Sequence, residues 1–136
     1  VMSLATHGPE GPWSAAVFYA SEGFTLYFVS AASTRHGKNL EADPRVAATI
    51  QEDYSDWRAI KGLQIEGRVE RVAEADKSRV AKLYSDKFPA TRPDRAPPEI
   101  AAALARIGWY RLVPSRVLFI DNARGLGHRE EVPLTR

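Results

Sequence analysis

Cysteine is absent from the chain and methionine occurs once. The first absence excludes disulfides, thiolate nucleophiles and cysteine-held metal centres, and makes a reducing, cytoplasmic setting the expectation. Histidine is scarce too. His7, His36 and His128 are widely separated and carry no carboxylate pattern around them, so no metal site is expected. No apolar run approaches the roughly 20 residues that a membrane-spanning helix needs, and the chain does not open on a basic stretch followed by an apolar core. A membrane is therefore not an expected partner.

An excess of one charge is also missing. Nineteen Lys and Arg against seventeen Asp and Glu leave a formal net charge of +2, with the signs alternating along the chain. Nucleic-acid binding relies on a clustered positive face and is not expected. Local spacing offers no Ser-His-Asp arrangement and no paired carboxylates, so catalytic residues stay unassigned.

What is present is a chain of 136 residues, 44% hydrophobic, whose apolar blocks are short and interrupted. That is one domain's worth of core, spanning 1–136, and the pattern favours strands over a helical bundle. Strands are expected at residues 2–6, 13–20, 24–30 and 45–50, with closing strands at 109–112 and 116–121. The clearest alternation runs through 61–72: Leu63, Ile65, Gly67 and Val69 share one face, while Gln64, Glu66, Arg68 and Glu70 share the other. Helical spacing places Val80, Leu83, Tyr84 and Phe88 on one stripe of a helix over 74–88, and Pro98 opens a shorter one ending at Gly108. About six short strands with inserted helices predict a mainly β, closed or partly closed antiparallel barrel.

One segment points to a ligand. Ser33-Thr34-Arg35-His36-Gly37-Lys38 directly follows the apolar strand ending at Ser30. Thr34 is a good N-cap, and a helix from Arg35 should stop before Pro44. The unpaired amides of a helix start, its dipole, and Arg35, His36 and Lys38 together suit a phosphate.

The motifs in order are Ser33-Thr34-Arg35-His36, then Asp56-Trp57-Arg58-Ala59-Ile60-Lys61-Gly62-Leu63-Gln64-Ile65-Glu66-Gly67. Tyr84-Ser85-Asp86-Lys87-Phe88-Pro89 follows, and last come Phe119-Ile120-Asp121-Asn122 and Gly125-Leu126-Gly127-His128. Together they resemble the FMN-binding split-barrel proteins related to pyridoxamine 5'-phosphate oxidase, in a small bacterial branch of uncharacterised function. The resemblance implies a six-stranded antiparallel Greek-key split β-barrel with short inserted helices, forming homodimers with cofactor sites shared between subunits. It also implies FMN as cofactor and hydride transfer between reduced flavin and an unidentified small substrate. The alternative is a non-catalytic module for FMN, haem or another anionic ligand.

By that resemblance Thr34, Arg35 and His36, with Lys38 beyond them, stand where the family grips the FMN phosphate. Backbone groups of Ala16, Val17 and Phe18 would meet the edge of the isoalloxazine ring. Trp57 would line the cavity of the neighbouring subunit, and Lys61 and Gln64 would donate to flavin carbonyls. Two departures stand out. Where the oxidases carry an Arg and, five residues later, a Lys, this chain has Ser14 and Tyr19. The C-terminal segment that recognises pyridoxal phosphate is not evident either, so that substrate is not carried over.

Overall fold

The computed structural model describes residues 1–135. Eight strands form one antiparallel sheet: β1 (Met2–Gly8), β2 (Gly11–Val17), β3 (Tyr19–Glu22), β4 (Thr25–Ser30), β5 (Arg45–Gln51), β6 (Lys61–Arg71), β7 (Gly108–Asp121) and β8 (Arg129–Glu131). The helices are α1 (Arg35–Ala42), α2 (Lys77–Lys87) and α3 (Pro98–Leu104). Neighbouring strands run β2-β1-β5-β6-β7-β4-β3, and β8 pairs with the second half of β7.

The two ends of that order belong to consecutive strands. Val17 closes β2 and Tyr19 opens β3, with Phe18 alone between them. Two peptide units reach at most about 7 Å, so the sheet has to curl until its edges meet at Phe18 and diverge from there. The result is a split barrel, with eight strands rather than the expected six. The continuous strand expected over 13–20 is broken at Phe18 because its two halves serve opposite edges.

The barrel interior follows from period-two alternation. Met2 and Leu4 of β1, Leu26 and Phe28 of β4, Ile65 and Val69 of β6, and Tyr110, Leu112 and Val117 of β7 are buried in one cluster, closed by Leu40 from α1. Phe28 and Tyr110 stack with ring centroids 5.4 Å apart. The outer face of β4 is covered by α2, whose Val80 packs with Tyr27 and Val72. α2 itself spans 77–87, its first expected turn being a 3-10 turn at Glu74–Asp76.

Three further expectations change. The closing strands form one continuous strand, β7, because the ladder with β6 shifts register at Glu66/Gly67 and passes Pro114 at that irregularity. Gly67 is needed there: a Cβ would lie 2.6 Å from the Val113 carbonyl oxygen. The tail beyond Asn122 is not wholly irregular, since β8 forms in it. α3 ends at Leu104, short of Gly108.

No helix among the described residues is long and apolar enough to cross a membrane.

Candidate functional site

α1 begins where expected. Thr34 caps it, accepting from the Gly37 amide at 3.0 Å, and its hydroxyl donates to the Ala31 carbonyl at 2.8 Å. That double use turns the chain sharply from β4 into the helix. Gly37 lets the helix sit tightly on the turn, because a Cβ there would meet the Ala31 carbonyl oxygen at 2.6 Å. Further along, buried Asn39 donates to the Thr6 hydroxyl at 3.1 Å and ties the helix to β1.

Four of the expected residues gather at this helix start, with unequal roles. His36 Nε2 and Ser30 Oγ share a hydrogen bond of 2.6 Å, and Ser30 Oγ lies 3.2 Å from Thr34 Oγ1. Burial pushes the His36 pKa below its ordinary value, which favours the neutral ring as a hydrogen-bonding group. Lys38 is exposed on the helix.

Arg35 does not extend into solvent. Its guanidinium carbon sits 4.3 Å from the centroid of the Trp13 ring, and Nη2 donates to the Glu10 carbonyl at 3.3 Å. Nε is buried without a hydrogen-bond partner, its nearest anionic group being a Glu10 carboxylate oxygen at 3.9 Å. The amides of Arg35 and His36 belong to the first turn, where the helix supplies no acceptor. The site therefore offers one buried cationic N–H without a hydrogen-bond partner, two first-turn amides and a hydroxyl-imidazole pair, which is a donor set for an anion.

Ser30, Trp13 and Glu10 were not singled out in the sequence. Ser30 did leave a signal: it shares the inward parity of Leu26 and Phe28 on β4, so a polar side chain stands at a core position directly before the helix. Trp13 and Glu10 left none, because their role depends on the β1–β2 hairpin reaching α1 across the sheet.

The other expected residues lie elsewhere. Val17 points into the core, while Phe18 is exposed and meets Phe88 edge-on at 5.5 Å. β2, which carries Ala16, is an edge strand, so alternate backbone groups along it lack a ladder partner. Tyr19, where the oxidases carry a lysine, has the Lys87 ammonium 3.9 Å above its ring, and that ammonium donates to the Tyr19 carbonyl at 2.5 Å. A cation from α2 thus lies against Tyr19.

Trp57 is exposed on a 3-10 turn (Trp57–Ala59), with Arg58 stacked 4.8 Å from its ring centroid. Buried Asn122 anchors this turn, donating to the Trp57 carbonyl and accepting from the Gly127 amide, each at 3.0 Å. The Gly-rich tail therefore docks on the barrel. Lys61 is exposed at the start of β6, and Gln64, on the outer face, accepts from Arg129 at 3.2 Å. Lys61 pairs with Asp121 at one end of the β6–β7 ladder, whereas Arg71 pairs with Tyr110 at the other, beside Gly108 and Ser30. The length of β6, roughly 30 Å at ordinary strand rise, separates Lys61 from that end. One chain does not bring these two groups together.

Comparison with known proteins places this geometry in context. The family model described as pyridoxamine 5'-phosphate oxidase matches residues 1–120. A UPF0306 protein of Photorhabdus laumondii is 32% identical over 132 residues, covering 95% of this chain and 84% of that protein. Among solved structures, a heme binding protein from Mycobacterium smegmatis aligns with a TM-score of 0.75 at 23% identity, covering 96% of this chain and 51% of that one. The chain thus spans about half the length of that structure. A FAD-binding protein from Mesorhizobium loti aligns with a TM-score of 0.66 at 22% identity, covering 85% and 81%. At these identities the structural likeness establishes the split-barrel fold.

Proposed function

Because the chain belongs to the pyridoxamine 5'-phosphate oxidase family, we propose that it binds FMN, with the phosphate seated on the start of α1. The observation that carries this reading is the Nε of Arg35, buried and without a hydrogen-bond partner, beside the first turn of a capped helix. A dianionic phosphate would satisfy that donor and the first-turn amides at once. Thr34 holds the turn in place, Ser30 orients His36, and Lys38 adds a second cation at the rim. His36 fits as a donor whose proton a bound phosphate would retain.

The ring end of the cofactor requires a second copy of the chain. The outer face of β5 and β6, with Ala47, Thr49, Gln64 and Glu66, is left uncovered by the helices, and a homodimer packed there would carry Trp57, Lys61 and Gln64 toward the partner's α1. Trp57 suits stacking on a flat aromatic system, and Lys61 and Gln64 supply donors. Backbone groups of Ala16 and Val17 on the edge strand β2, and of Phe18 directly after it, would meet the ring's polar edge.

FMN supplies hydride chemistry when bound, and the protein's part is to hold and orient it. On this reading the protein is an oxidoreductase acting on a small molecule that its residues do not identify. Binding is supported more directly than turnover, since no acid-base pair stands out among the described residues at α1.

The test is optical. The purified protein, before and after addition of FMN, is expected to show bound-flavin absorption at one equivalent per chain, in a particle of twice the chain mass. A Soret band on addition of haem, with no response to FMN, would replace this reading with a haem-binding one. Substrate turnover requires a separate assay of flavin reduction by nicotinamide donors.

A further inference from the structure

Arg35 is already engaged by a neighbour that resembles its proposed ligand. Glu10, at the tip of the β1–β2 turn, accepts from Nη2 through its carbonyl at 3.3 Å and holds its carboxylate 3.9 Å from Nε. The second distance is an ion pair but exceeds hydrogen-bond reach. Trp13, two residues into β2, has the guanidinium carbon over its ring, 4.3 Å from the centroid. Glu10 is 82% exposed while the Arg35 side chain is 33% exposed, so the carboxylate sits at the solvent side and the arginine beneath it.

We infer that Glu10 is an internal counter-anion, which keeps Arg35 parked on Trp13 until a ligand phosphate displaces it, and so sets the affinity and anion selectivity of the α1 site. The inference rests on the phosphate reading given above. Its physical basis is competition. The guanidinium has five donor hydrogens in a fixed fork, and the Glu10 carbonyl takes one. A phosphate at the helix start needs the Nε edge that the carboxylate screens, and it also meets that carboxylate's repulsion. Trp13 keeps the guanidinium plane oriented during the exchange, as a face on which Arg stacks in either state. Glu10 is a positioning residue in this scheme and touches no ligand.

The screening is an exposed-charge effect, so its expected size is modest and salt-dependent. Glu10→Gln keeps the carbonyl contact and the side-chain size while removing the charge. It is expected to bind FMN roughly two- to fivefold more tightly than the unmodified protein at low ionic strength, with the gain collapsing in concentrated NaCl. Glu10→Lys should bind more tightly still. Riboflavin, which lacks the phosphate, should respond to neither substitution. Titrating FMN and riboflavin calorimetrically into all three proteins, each checked for an unchanged far-UV spectrum, decides the matter. Equal FMN affinity in the three would overturn the role of Glu10 while leaving the phosphate site standing. An equal gain for riboflavin would refute it as well, by showing that the effect is not directed at the phosphate. Failure of every variant and of the unmodified protein to bind FMN would remove the phosphate reading itself, and this inference with it.

Discussion

Gly37→Ala separates two physical effects that oppose each other at the site. Inside a helix, exchanging glycine for alanine ordinarily favours folding by about 1 kcal/mol, through lower backbone entropy in the unfolded chain. Here the new methyl would stand 2.6 Å from the Ala31 carbonyl oxygen, 3.0 Å from Thr34 Oγ1 and 3.2 Å from Ala32 Cα. The first obstacle is backbone and cannot rotate away. That same carbonyl accepts from the Thr34 amide at 3.1 Å and from the Thr34 hydroxyl at 2.8 Å, so moving it loosens the cap. Overpacking of this kind costs about 1–3 kcal/mol and a weakened cap about 1 kcal/mol more. Set against the propensity gain, the net expectation is a destabilisation of about 1–3 kcal/mol. For a domain of this size that lowers the melting temperature by roughly 3–12 °C, measurable by circular dichroism in a thermal scan. Lys38→Ala, on the exposed side of the same helix, is the control and should stay within about 0.5 kcal/mol of the starting protein. If Gly37→Ala melts at the same temperature or higher, the close approach of α1 to the 31–34 turn is not as described.

Two further outcomes follow from the core and from His36. Phe28, fully buried and stacked on Tyr110, should cost about 3–5 kcal/mol on replacement by alanine, read as a lower urea midpoint with little change in slope. The His36 pKa is lowered by burial, so the unfolded chain takes up protons that the folded chain resists. Its contribution is fully present above the unfolded value near 6.5 and is lost as pH falls below it. Melting temperature should therefore fall more between pH 7.5 and 5.5 in the unmodified protein than in His36→Gln. Parallel pH profiles would refute the assignment.

Much of the site's local architecture was legible in the sequence. The Thr34 cap, the helix from Arg35 to Ala42 and the alternation along β6 all depend on short-range chemistry: a hydroxyl facing a free amide, a following proline and a period of two. The pairing of distant edges was not legible. Residues 13–20 carry one apolar pattern, yet Phe18 divides them between opposite edges of the sheet, a consequence of barrel closure that no local window contains. The strands expected separately at 109–112 and 116–121 join into one, because the irregularity at Glu66/Gly67 lets β7 run through Pro114.

The candidate site divides along the same line. Thr34, Arg35, His36 and Lys38 were visible because they fall within one five-residue stretch. The direction of Arg35 was not, since it is set by Trp13 and Glu10 on another hairpin. Trp57, Lys61 and Gln64 gather with the helix start only if a second chain brings them there, and a single sequence carries no record of that geometry beyond family resemblance.

The central claim is that Arg35 and the start of α1 recognise a phosphate. Comparing the dissociation constants of FMN and riboflavin, in the unmodified protein and in Arg35→Ala, tests it most directly. The account predicts that FMN binds at least tenfold more tightly than riboflavin, a difference of about 1.4 kcal/mol in keeping with charge-assisted bonds to phosphate, and that Arg35→Ala erases most of that preference while leaving riboflavin binding unchanged. Equal affinity for the two flavins, or an FMN preference that survives Arg35→Ala, would contradict it.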